Sequence, residues 1–253
     1  MHPDFTTVVA VDERHLREFS LSYQTWERNC RPILQNPLLI LADGTECRGW
    51  WESKFAKFMQ HPNCKVVAVP LIPGSTQRHR MLSALIHGPA EHVDTEWYLK
   101  LDTDTWCMTP VDDWAPDEWF DSGYVAVSHR WNYTKPASMY RDLLLWAETH
   151  EPVEFTAPAP KTTYSGDDVE EAKRKAFHRR IISFAMWART DFTQDVSRIS
   201  GTQFLLPIPS QDTFYWYCAA RMGKRVGRAN MKDRGWKHTS RKIEQIYAEA
   251  MGQ

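Results

Sequence analysis

The fold of this chain is decided by the stretch Glu96-Trp97-Tyr98-Leu99-Lys100-Leu101-Asp102-Thr103-Asp104-Thr105. Its first half is aromatic and branched, which is typical of an interior strand that an α/β sheet buries on both faces. Two carboxylates follow at the carboxyl end of that strand, and open α/β sheets bind their ligands at this edge. Acidic groups in such a place need water, a basic partner or a cation to offset their desolvation.

A divalent cation is the simplest explanation of the acidic pair. Because successive strand residues point to opposite faces, Asp102 and Asp104 are predicted to share a face that Thr103 does not. The Asp-x-Asp spacing alone is a weak signal, since about one such spacing arises by chance in a chain of this length. The alternative is two solvated aspartates in a turn after an edge strand.

The composition indicates a globular protein with a sizeable core. The 253 residues are 42% hydrophobic and 25% charged, with a formal net charge of -1, which predicts one domain or two tightly fused halves. No run of about eighteen apolar residues occurs, so no transmembrane segment is predicted, and Met1-His2-Pro3-Asp4 lacks a secretory pattern. The five cysteines are far apart, which predicts reduced thiols and a cytoplasmic location.

Strands and helices are predicted to alternate up to the acidic pair. The predicted strands are residues 6–11, 38–41, 65–69 and 97–101, and the predicted helices are 15–28, 51–59 and a segment from 78 to 86. Repeated units of this kind form a largely parallel sheet with right-handed crossovers, and their loops gather at one edge. The acidic pair is therefore expected beside the ends of the other strands.

The second part of the chain is less regular. Strands are predicted at 124–128, 181–189 and 225–226, helices at 138–149, 169–180 and 213–220, and a mobile loop at 151–168. A further helix is predicted to begin at Thr190. Asp212 directly precedes the helix at 213–220, so it is either an N-cap carboxylate or a general base that faces the cleft.

Taken in order, these features resemble the GT-A fold nucleotide-sugar glycosyltransferases over residues 6 to about 238. Four segments carry the resemblance: Leu41-Ala42-Asp43-Gly44-Thr45, Leu101-Asp102-Thr103-Asp104, Met186-Trp187-Ala188-Arg189-Thr190-Asp191-Phe192, and Gln211-Asp212-Thr213 with the later Arg221, Gly223 and Val226. Two features depart from the family pattern. Gln211 stands where the family usually has Glu, and the loop before the acceptor-side strand is long and charged.

The resemblance implies an α/β fold of GT-A (Rossmann-like) type, with an open, mostly parallel sheet flanked by helices and a smaller C-terminal mixed region on the acceptor side. It implies a single domain over 1–253, with a nucleotide-sugar-binding half at 1–108 and a half at 109–253 that binds the acceptor and supplies the base. The implied activity is transfer of a sugar from a nucleotide-diphosphate donor, a UDP-sugar, to a hydroxyl acceptor with inversion. Mn²⁺ or Mg²⁺ is the implied cofactor.

The metal ion would be bound by Asp102 and Asp104, with His238 as a third ligand, as a C-terminal histidine is in many relatives. Carboxylate oxygens suit both ions, and few protein carboxylates are needed when a substrate phosphate completes the coordination. A lone histidine is also common in cores and on surfaces, so the alternative for His238 is a residue with no role in metal binding.

The resemblance also implies contacts to the donor from Asp43, Arg78, Arg80, Asp102, Asp104 and Trp187. Asp43 would accept a hydrogen bond from the nucleotide base, uracil, unless it is a simple turn residue. Arg78 and Arg80 would pair with the diphosphate, or else lie on a solvated helix face. Asp212 would take the proton of the acceptor hydroxyl.

A basic segment runs from Arg221 to Lys242, with Lys224, Arg225, Arg228, Lys232, Arg234, Lys237 and Arg241 against the single acid Asp233. It is either a solvated face or a surface for the donor diphosphate, a phosphorylated acceptor or nucleic acid. Nucleic acid is not favoured, because no recognisable nucleic-acid module accompanies the segment. The acceptor is left open among a glycan, a lipid-linked glycan, a peptide and a modified base.

Two other functions remain as alternatives. A nucleotidyltransferase uses a related sheet and acidic pair, but such enzymes commonly carry a glycine-rich basic loop after the first strand, and Val11-Asp12-Glu13-Arg14 has no glycine. A non-catalytic protein that binds a nucleotide sugar or nucleic acid on the same scaffold is the second alternative.

Overall fold

The computed structural model describes residues 4–30, 33, 35–43, 50–60, 63–69, 76–111, 120, 123–133, 179–201 and 211–253. The strands in chain order are β1 (Phe5–Asp12), β2 (Leu38–Asp43), β3 (Cys64–Ala68), β4 (Trp97–Leu101), β5 (Thr105–Cys107), β6 (Tyr124–Tyr133), β7 (Arg179–Arg189), β8 (Arg225–Arg228) and β9 (Trp236–His238). Seven of them form one sheet in the order β3-β2-β1-β4-β7-β6-β8, while β5 and β9 form a separate two-stranded ribbon.

The central sheet is mostly parallel, as predicted. β1 pairs in parallel with β2 and β4, β2 with β3, and β6 with β8. Among these strands β7 is reversed, because it pairs antiparallel with both β4 and β6. In this register Asp12 lies opposite Asp43, and Val9 lies opposite Leu101. The carboxyl ends of β1, β2 and β4 therefore meet at one edge, which is the edge that carries the acidic pair.

Helices cover both faces of the sheet. They are α1 (Leu16–Asn29), α2 (Trp50–Met59), α3 (Gln77–His92), α4 (Thr190–Ser200), α5 (Gln211–Arg221) and α6 (Ile243–Ala250). One core lies under α1 and α2 and contains the alternate residues Trp97, Leu99 and Leu101 of β4. The other core lies under α3, α4 and α5 and contains Tyr98 from the opposite face of the same strand. β4 is thus buried on both faces, which the aromatic and branched stretch predicted.

Helix α1 is attached to the segment that follows β4. Its buried stripe includes Phe19, Tyr23 and Trp26, and the Phe19 and Phe58 rings lie 4.9 Å apart, centroid to centroid. The indole nitrogen of Trp26 donates a hydrogen bond of 2.7 Å to the carbonyl oxygen of Thr105. The aromatic packing that holds α1 on the sheet therefore also holds the start of β5.

Most of the predicted elements are confirmed, with three kinds of difference. The predicted helix at 169–180 is wrong at its end, because Arg179 and Arg180 begin β7. The ribbon of β5 and β9 and helix α6 were not predicted. The predictions at 138–149 and 151–168 lie outside the described residues. The division at residues 1–108 and 109–253 stays a prediction, although β4 and β7, one from each half, are hydrogen-bonded neighbours. Among the described helices, none has the length and apolar character that crossing a membrane requires.

Buried hydroxyl groups join β4 to the two helices packed over it. The hydroxyl oxygens of Tyr98 and Tyr215 lie 2.9 Å apart, and that of Thr193 lies 3.0 Å from Tyr98. Thr193 is also 3.0 Å from the carbonyl oxygen of Arg189, which it can donate to. Burial raises the pKa of Tyr98 to about 12, so the group remains a neutral phenol. This network fixes α4 and α5 against the strand that leads to the acidic pair.

Replacing Tyr98→Phe is expected to lower the free energy of unfolding by about 1–3 kcal/mol, because the hydroxyl group of Tyr215 loses a partner in a site without water access. Urea denaturation of the variant and the native protein measures this. Tyr247→Phe is the matched control, since Tyr247 bonds to Gln24 at a half-exposed position and should lose less. Equal losses in the two variants would contradict the structural role of the network.

Candidate functional site

The two acids follow β4 in a tight turn. The amide of Asp102 donates to the carbonyl oxygen of Phe184 on β7 over 2.9 Å, and the amide of Thr105 donates back to the carbonyl of Asp102 over 3.2 Å. The hydroxyl group of Thr105 also donates to the Phe184 carbonyl, over 3.0 Å. The turn brings Asp104 back beside Asp102, so the two side chains lie together as the alternation predicted, although the strand itself ends at Leu101.

Two side chains of helix α1 form hydrogen bonds with the turn. The hydroxyl group of Thr103 lies 3.1 Å from Oε2 of Glu18, and the hydroxyl group of Ser22 donates to the carbonyl oxygen of Thr103 over 2.7 Å. Glu18 and Thr103 are both buried. Burial and the nearby charge of Asp104 raise the pKa of the Glu18 carboxyl above its ordinary value. Sequence reasoning missed Glu18, since a glutamate in the first turn of a helix gives no signal of what lies above it.

A histidine from far along the chain completes the cluster. His238 ends β9, which pairs antiparallel with β5 so that His238 lies opposite Thr105. The amide of Thr239 donates to the carbonyl oxygen of Asp104 over 3.1 Å, and the indole of Trp106 donates to the carbonyl of Thr239 over 2.9 Å. The ribbon therefore fixes the position of His238 on both sides.

The side chains of Asp102, Asp104 and His238 converge. Nε2 of His238 lies 3.0 Å from Oδ1 of Asp104 and 3.6 Å from Oδ2 of Asp102, and one candidate ligand atom from each residue lies within 4.8 Å of the others. Burial alone would lower the pKa of His238, but the hydrogen bond to Asp104 and the charges of both carboxylates raise it above its ordinary value. Two carboxylates and an imidazole, all partly exposed, fit Mn²⁺ or Mg²⁺ with coordination positions left for a ligand.

Lys100 is a member of this site that sequence reasoning missed. It points to the same face of β4 as Tyr98 and Asp102, it is 3% exposed, and its ammonium contacts Oδ1 of Asp102. The strand alternation could have placed it there, since Lys100 and Asp102 are two residues apart. A lysine inside a strand is usually interpreted as solvent-facing, so the alternation that puts Lys100 and Asp102 on one face was not used.

Asp43 and Arg80, both predicted as donor contacts, pair with each other. Nε and a terminal nitrogen of Arg80 lie 3.2 and 3.1 Å from the two carboxylate oxygens of Asp43. Asp43 ends β2 and Arg80 lies in the first turns of α3, so the bidentate pair joins the sheet to that helix at the edge of the acidic pair. Arg78 also lies on α3, and its side chain is outside the described residues. Donor binding by all three stays a prediction.

Asp12 lies between these two groups, at the end of β1. It accepts hydrogen bonds from the backbone amide of His15 at 2.9 Å and from its ring nitrogen Nδ1 at 2.7 Å, and it also contacts Gln77. Burial raises the pKa of Asp12, but the bonds from His15 outweigh it and lower the pKa below its ordinary value. The hydrogen bond to Asp12 in turn raises the pKa of His15.

Trp187 and Asp212 are the two remaining predicted residues. Trp187 is fully buried in β7, with its ring centroid 4.9 Å from that of Phe5 and 5.6 Å from that of Phe120. This position offers a donor no surface. Asp212 is half-buried in the first turn of α5, one residue inside the helix that it was predicted to precede. The preceding Gln211 is 2% exposed, and its amide nitrogen has no hydrogen-bond partner among the residues that the structure describes.

A separate cavity of about 580 Å³ lies between β2, β3, α3 and α4. Its walls include Val67, His87 and Gln194 together with Arg80, but none of the three clustered residues. The cavity is therefore distinct from the cluster, which stands out by its chemistry and not by its volume.

No family model and no curated protein sequence matches the chain, whereas solved structures share its fold. Core-mannan synthase A (CmsA/Ktr4) from Aspergillus fumigatus, in a form with Mn and GDP, matches with a TM-score of 0.57 and 11% identity over 94% of this chain and 75% of that one. The mannosyltransferase Ktr4p from S. cerevisiae, in complex with GDP, matches with a TM-score of 0.55 and 12% identity over 94% of this chain and 71% of that one. The galactosyltransferase LgtC, in complex with donor and acceptor sugar analogs, matches with a TM-score of 0.54 and 12% identity over 98% of this chain and 96% of that one.

These likenesses show that the chain has the α/β fold of the GT-A type, with a mostly parallel sheet between helices. The predicted fold class is therefore confirmed. At identities of 11 or 12%, a shared fold does not establish a shared reaction, because one fold hosts many chemistries. Function therefore has to be inferred from the site.

The pair of Asp12 and His15 predicts a pH-dependent stability. Because the pKa of His15 is raised and that of Asp12 lowered, the pair stabilises the fold fully between about pH 4 and 6.5. This contribution is lost as pH rises through the raised pKa of His15. Replacing His15→Gln is therefore expected to lower the free energy of unfolding at pH 5.5. The loss should stay below about 1 kcal/mol, because the ring is half-exposed. At pH 9 the loss should be smaller than at pH 5.5.

Urea denaturation at the two pH values measures the difference. His79→Gln is the control, because the structure shows no ion pair between His79 and a described carboxylate, so its effect should not change with pH in this way. An effect of His15→Gln that is equal at both pH values, or larger at pH 9, would contradict the assignment.

Proposed function

We propose that this protein is a metal-dependent glycosyltransferase that transfers a sugar from a nucleoside-diphosphate donor to a hydroxyl acceptor. The observation that most supports this is the convergence of Asp102, Asp104 and His238 at the carboxyl edge of a mostly parallel sheet. Ligands of open α/β sheets bind at that edge. Proteins with the same fold have been crystallised with Mn and GDP and with donor and acceptor sugar analogs.

In this proposal Asp102, Asp104 and His238 hold Mn²⁺ or Mg²⁺. When bound, the ion supplies positive charge to a leaving diphosphate, which departs with more negative charge than it carries in the donor. The three side chains are 35%, 15% and 39% exposed, so they are accessible to a ligand from solvent. Their fixed positions on the turn and the ribbon mean that little ordering is needed when an ion binds.

In this proposal the nucleotide binds along the same edge, over the ends of β1 and β2. Asp43 and Arg80 would meet it as a pair, since each holds the other in the structure. A guanidinium group matches the geometry of phosphate oxygens, and Asp43 fixes the position of the Arg80 guanidinium at this edge. Asp43 is proposed to accept a hydrogen bond from the nucleotide base. Arg78, near the start of α3, is proposed as a second diphosphate contact from the same helix.

Asp212 is proposed as the general base. It would accept the proton of the acceptor hydroxyl group while that oxygen forms a bond to the anomeric carbon and the bond from that carbon to the diphosphate breaks. Attack from the side opposite the diphosphate inverts the anomeric configuration. Asp212 lies in the first turn of α5, close to the partial positive charge of the helix N-terminus.

Uracil is the proposed base of the donor, on the sequence resemblance. Two of the structures with the same fold contain GDP, so guanosine donors belong in the same experiments. The acceptor is proposed only as a hydroxyl group.

Uridine diphosphate or guanosine diphosphate is expected to stabilise the protein against heat only in the presence of Mn²⁺ or Mg²⁺. At a ligand concentration about 100 times Kd, the melting temperature should rise by roughly 5–10 °C. Asp104→Asn should abolish the rise, because it removes a charged candidate ligand. Differential scanning fluorimetry with each nucleotide, with and without the metal ion, measures this.

Asp94→Asn is the matched control, since Asp94 is exposed and precedes β4 at its other end. It should keep the metal-dependent rise. The proposed metal site would be overturned if the diphosphate raised the melting temperature equally without the metal ion, or if Asp104→Asn kept the full rise in melting temperature.

Asp212→Asn is expected to reduce sugar transfer at least about 100-fold and to leave the Kd of the donor unchanged. Release of nucleoside diphosphate from a panel of UDP- and GDP-sugars, with water as the acceptor, provides an assay before the acceptor is known, and calorimetry gives the donor Kd. Asp191→Asn is the control, because Asp191 occupies the first turn of α4 as Asp212 does that of α5. Unchanged turnover in Asp212→Asn would remove this residue from the mechanism, and pyrophosphate release from a nucleoside triphosphate would indicate a nucleotidyltransferase instead.

A further inference from the structure

Lys100 is the only buried lysine among the residues that the structure describes. It lies near the end of β4, and its backbone pairs with β1 on one side and β7 on the other. A buried ammonium is costly unless it is paired with an opposite charge. Oδ1 of Asp102 supplies such a charge at the end of the same strand. The ion pair explains how Lys100 is tolerated, and its location beside the cluster points to a role.

The two oxygens of Asp102 face different neighbours. Oδ1 contacts the ammonium of Lys100, whereas Oδ2 lies 3.6 Å from Nε2 of His238, which is itself 3.0 Å from Asp104. Lys100 and His238 therefore lie beside different oxygens of the Asp102 carboxylate.

The charges of these groups limit how strongly a free cation can bind. The two carboxylates carry two negative charges, and the ammonium offsets one of them. With the ammonium in place, a divalent ion meets less net negative charge than the two carboxylates alone would supply, which weakens its attraction in a partly buried site of low effective dielectric constant. A diphosphate brings the missing negative charge, so it favours binding of the ion, and the ion favours binding of the diphosphate to the same degree.

We propose that Lys100 is a positioning residue that makes binding of the metal ion and binding of the diphosphate depend on each other. Acting through Asp102, it weakens the affinity of the site for a free divalent cation, so that tight binding requires the cation and the diphosphate together. This inference rests on the proposed function and assigns to that site a residue that acts through its contact with Asp102. Its consequence is that the metal ion enters with the donor and leaves with the nucleotide product.

Two variants separate the effect of the Lys100 charge from the effect of its hydrogen bond to Asp102. Lys100→Met removes both the charge and the hydrogen bond, and Lys100→Gln removes the charge but keeps a donor. Asp102 is 35% exposed, so water can solvate its carboxylate when the ammonium is gone. Lys65→Met is the matched control, because Lys65 is an exposed strand lysine on β3.

The experiment measures Mn²⁺ binding by electron paramagnetic resonance, with and without uridine or guanosine diphosphate. Both Lys100 variants should bind free Mn²⁺ about 5- to 10-fold more tightly than the native protein, and the gain in Mn²⁺ affinity caused by the diphosphate should fall by a similar factor. Lys65→Met should match the native protein in both quantities. Circular dichroism and melting temperature establish that each variant is folded.

The other outcomes have distinct meanings. Weaker Mn²⁺ binding in Lys100→Met with native behaviour in Lys100→Gln would show that the hydrogen bond matters and the charge does not, which overturns the inference. Unchanged binding in both folded variants overturns it as well. If the native protein itself binds neither Mn²⁺ nor a diphosphate, the proposed function fails, and that result is recognised before any variant is compared.

Discussion

The structure depends on the backbone hydrogen bonds that hold the turn after β4. Two carboxylates repel each other, so they stay side by side only where the chain that carries them is fixed. The carbonyl group of Phe184 accepts bonds from both ends of this turn, and Glu18 and Ser22 hold its middle. The reversed strand β7 and helix α1 thus confine the turn from two directions. The aromatic cores under the sheet matter to the site because they hold those two elements in place.

Acids and bases alternate along the edge where these strands end. β1 ends in Asp12 beside His15, β2 ends in Asp43 beside Arg80, and β4 is followed by Asp102 beside Lys100 and Asp104 beside His238. Each acid of this series has a basic neighbour in the structure. An incoming cation or anion therefore exchanges these pairings for its own. Such an edge suits a ligand that is itself a pair of opposite charges, a metal ion with a diphosphate.

The sequence allowed the sheet and the acidic pair to be predicted, because strands of five or more residues have a pattern that can be recognised and the acids follow one of them directly. It did not allow the ion pairs or the ribbon to be predicted, and His238 was expected only from the family resemblance. Arg80 and Asp43 are far apart in sequence, the three-residue strands β5 and β9 are too short for periodicity, and Glu18 looks like any exposed helix residue. Trp187 shows the converse limit of a sequence pattern. An aromatic residue near a motif was interpreted as a ligand contact, whereas its ring fills the core between Phe5 and Phe120.

The ribbon of β5 and β9 brings His238 to the cluster through contacts between distant parts of the chain. Trp106 and Thr239, which it brings together, are 133 residues apart in sequence, so this contact forms only after a large loop has closed. A partly folded chain can already have the acidic pair on β4 while its third neighbour is still in solvent. Local opening of the ribbon alone would divide the cluster in the same way and leave the central sheet intact. The geometry of these three side chains thus reports whether the whole chain has reached its native state.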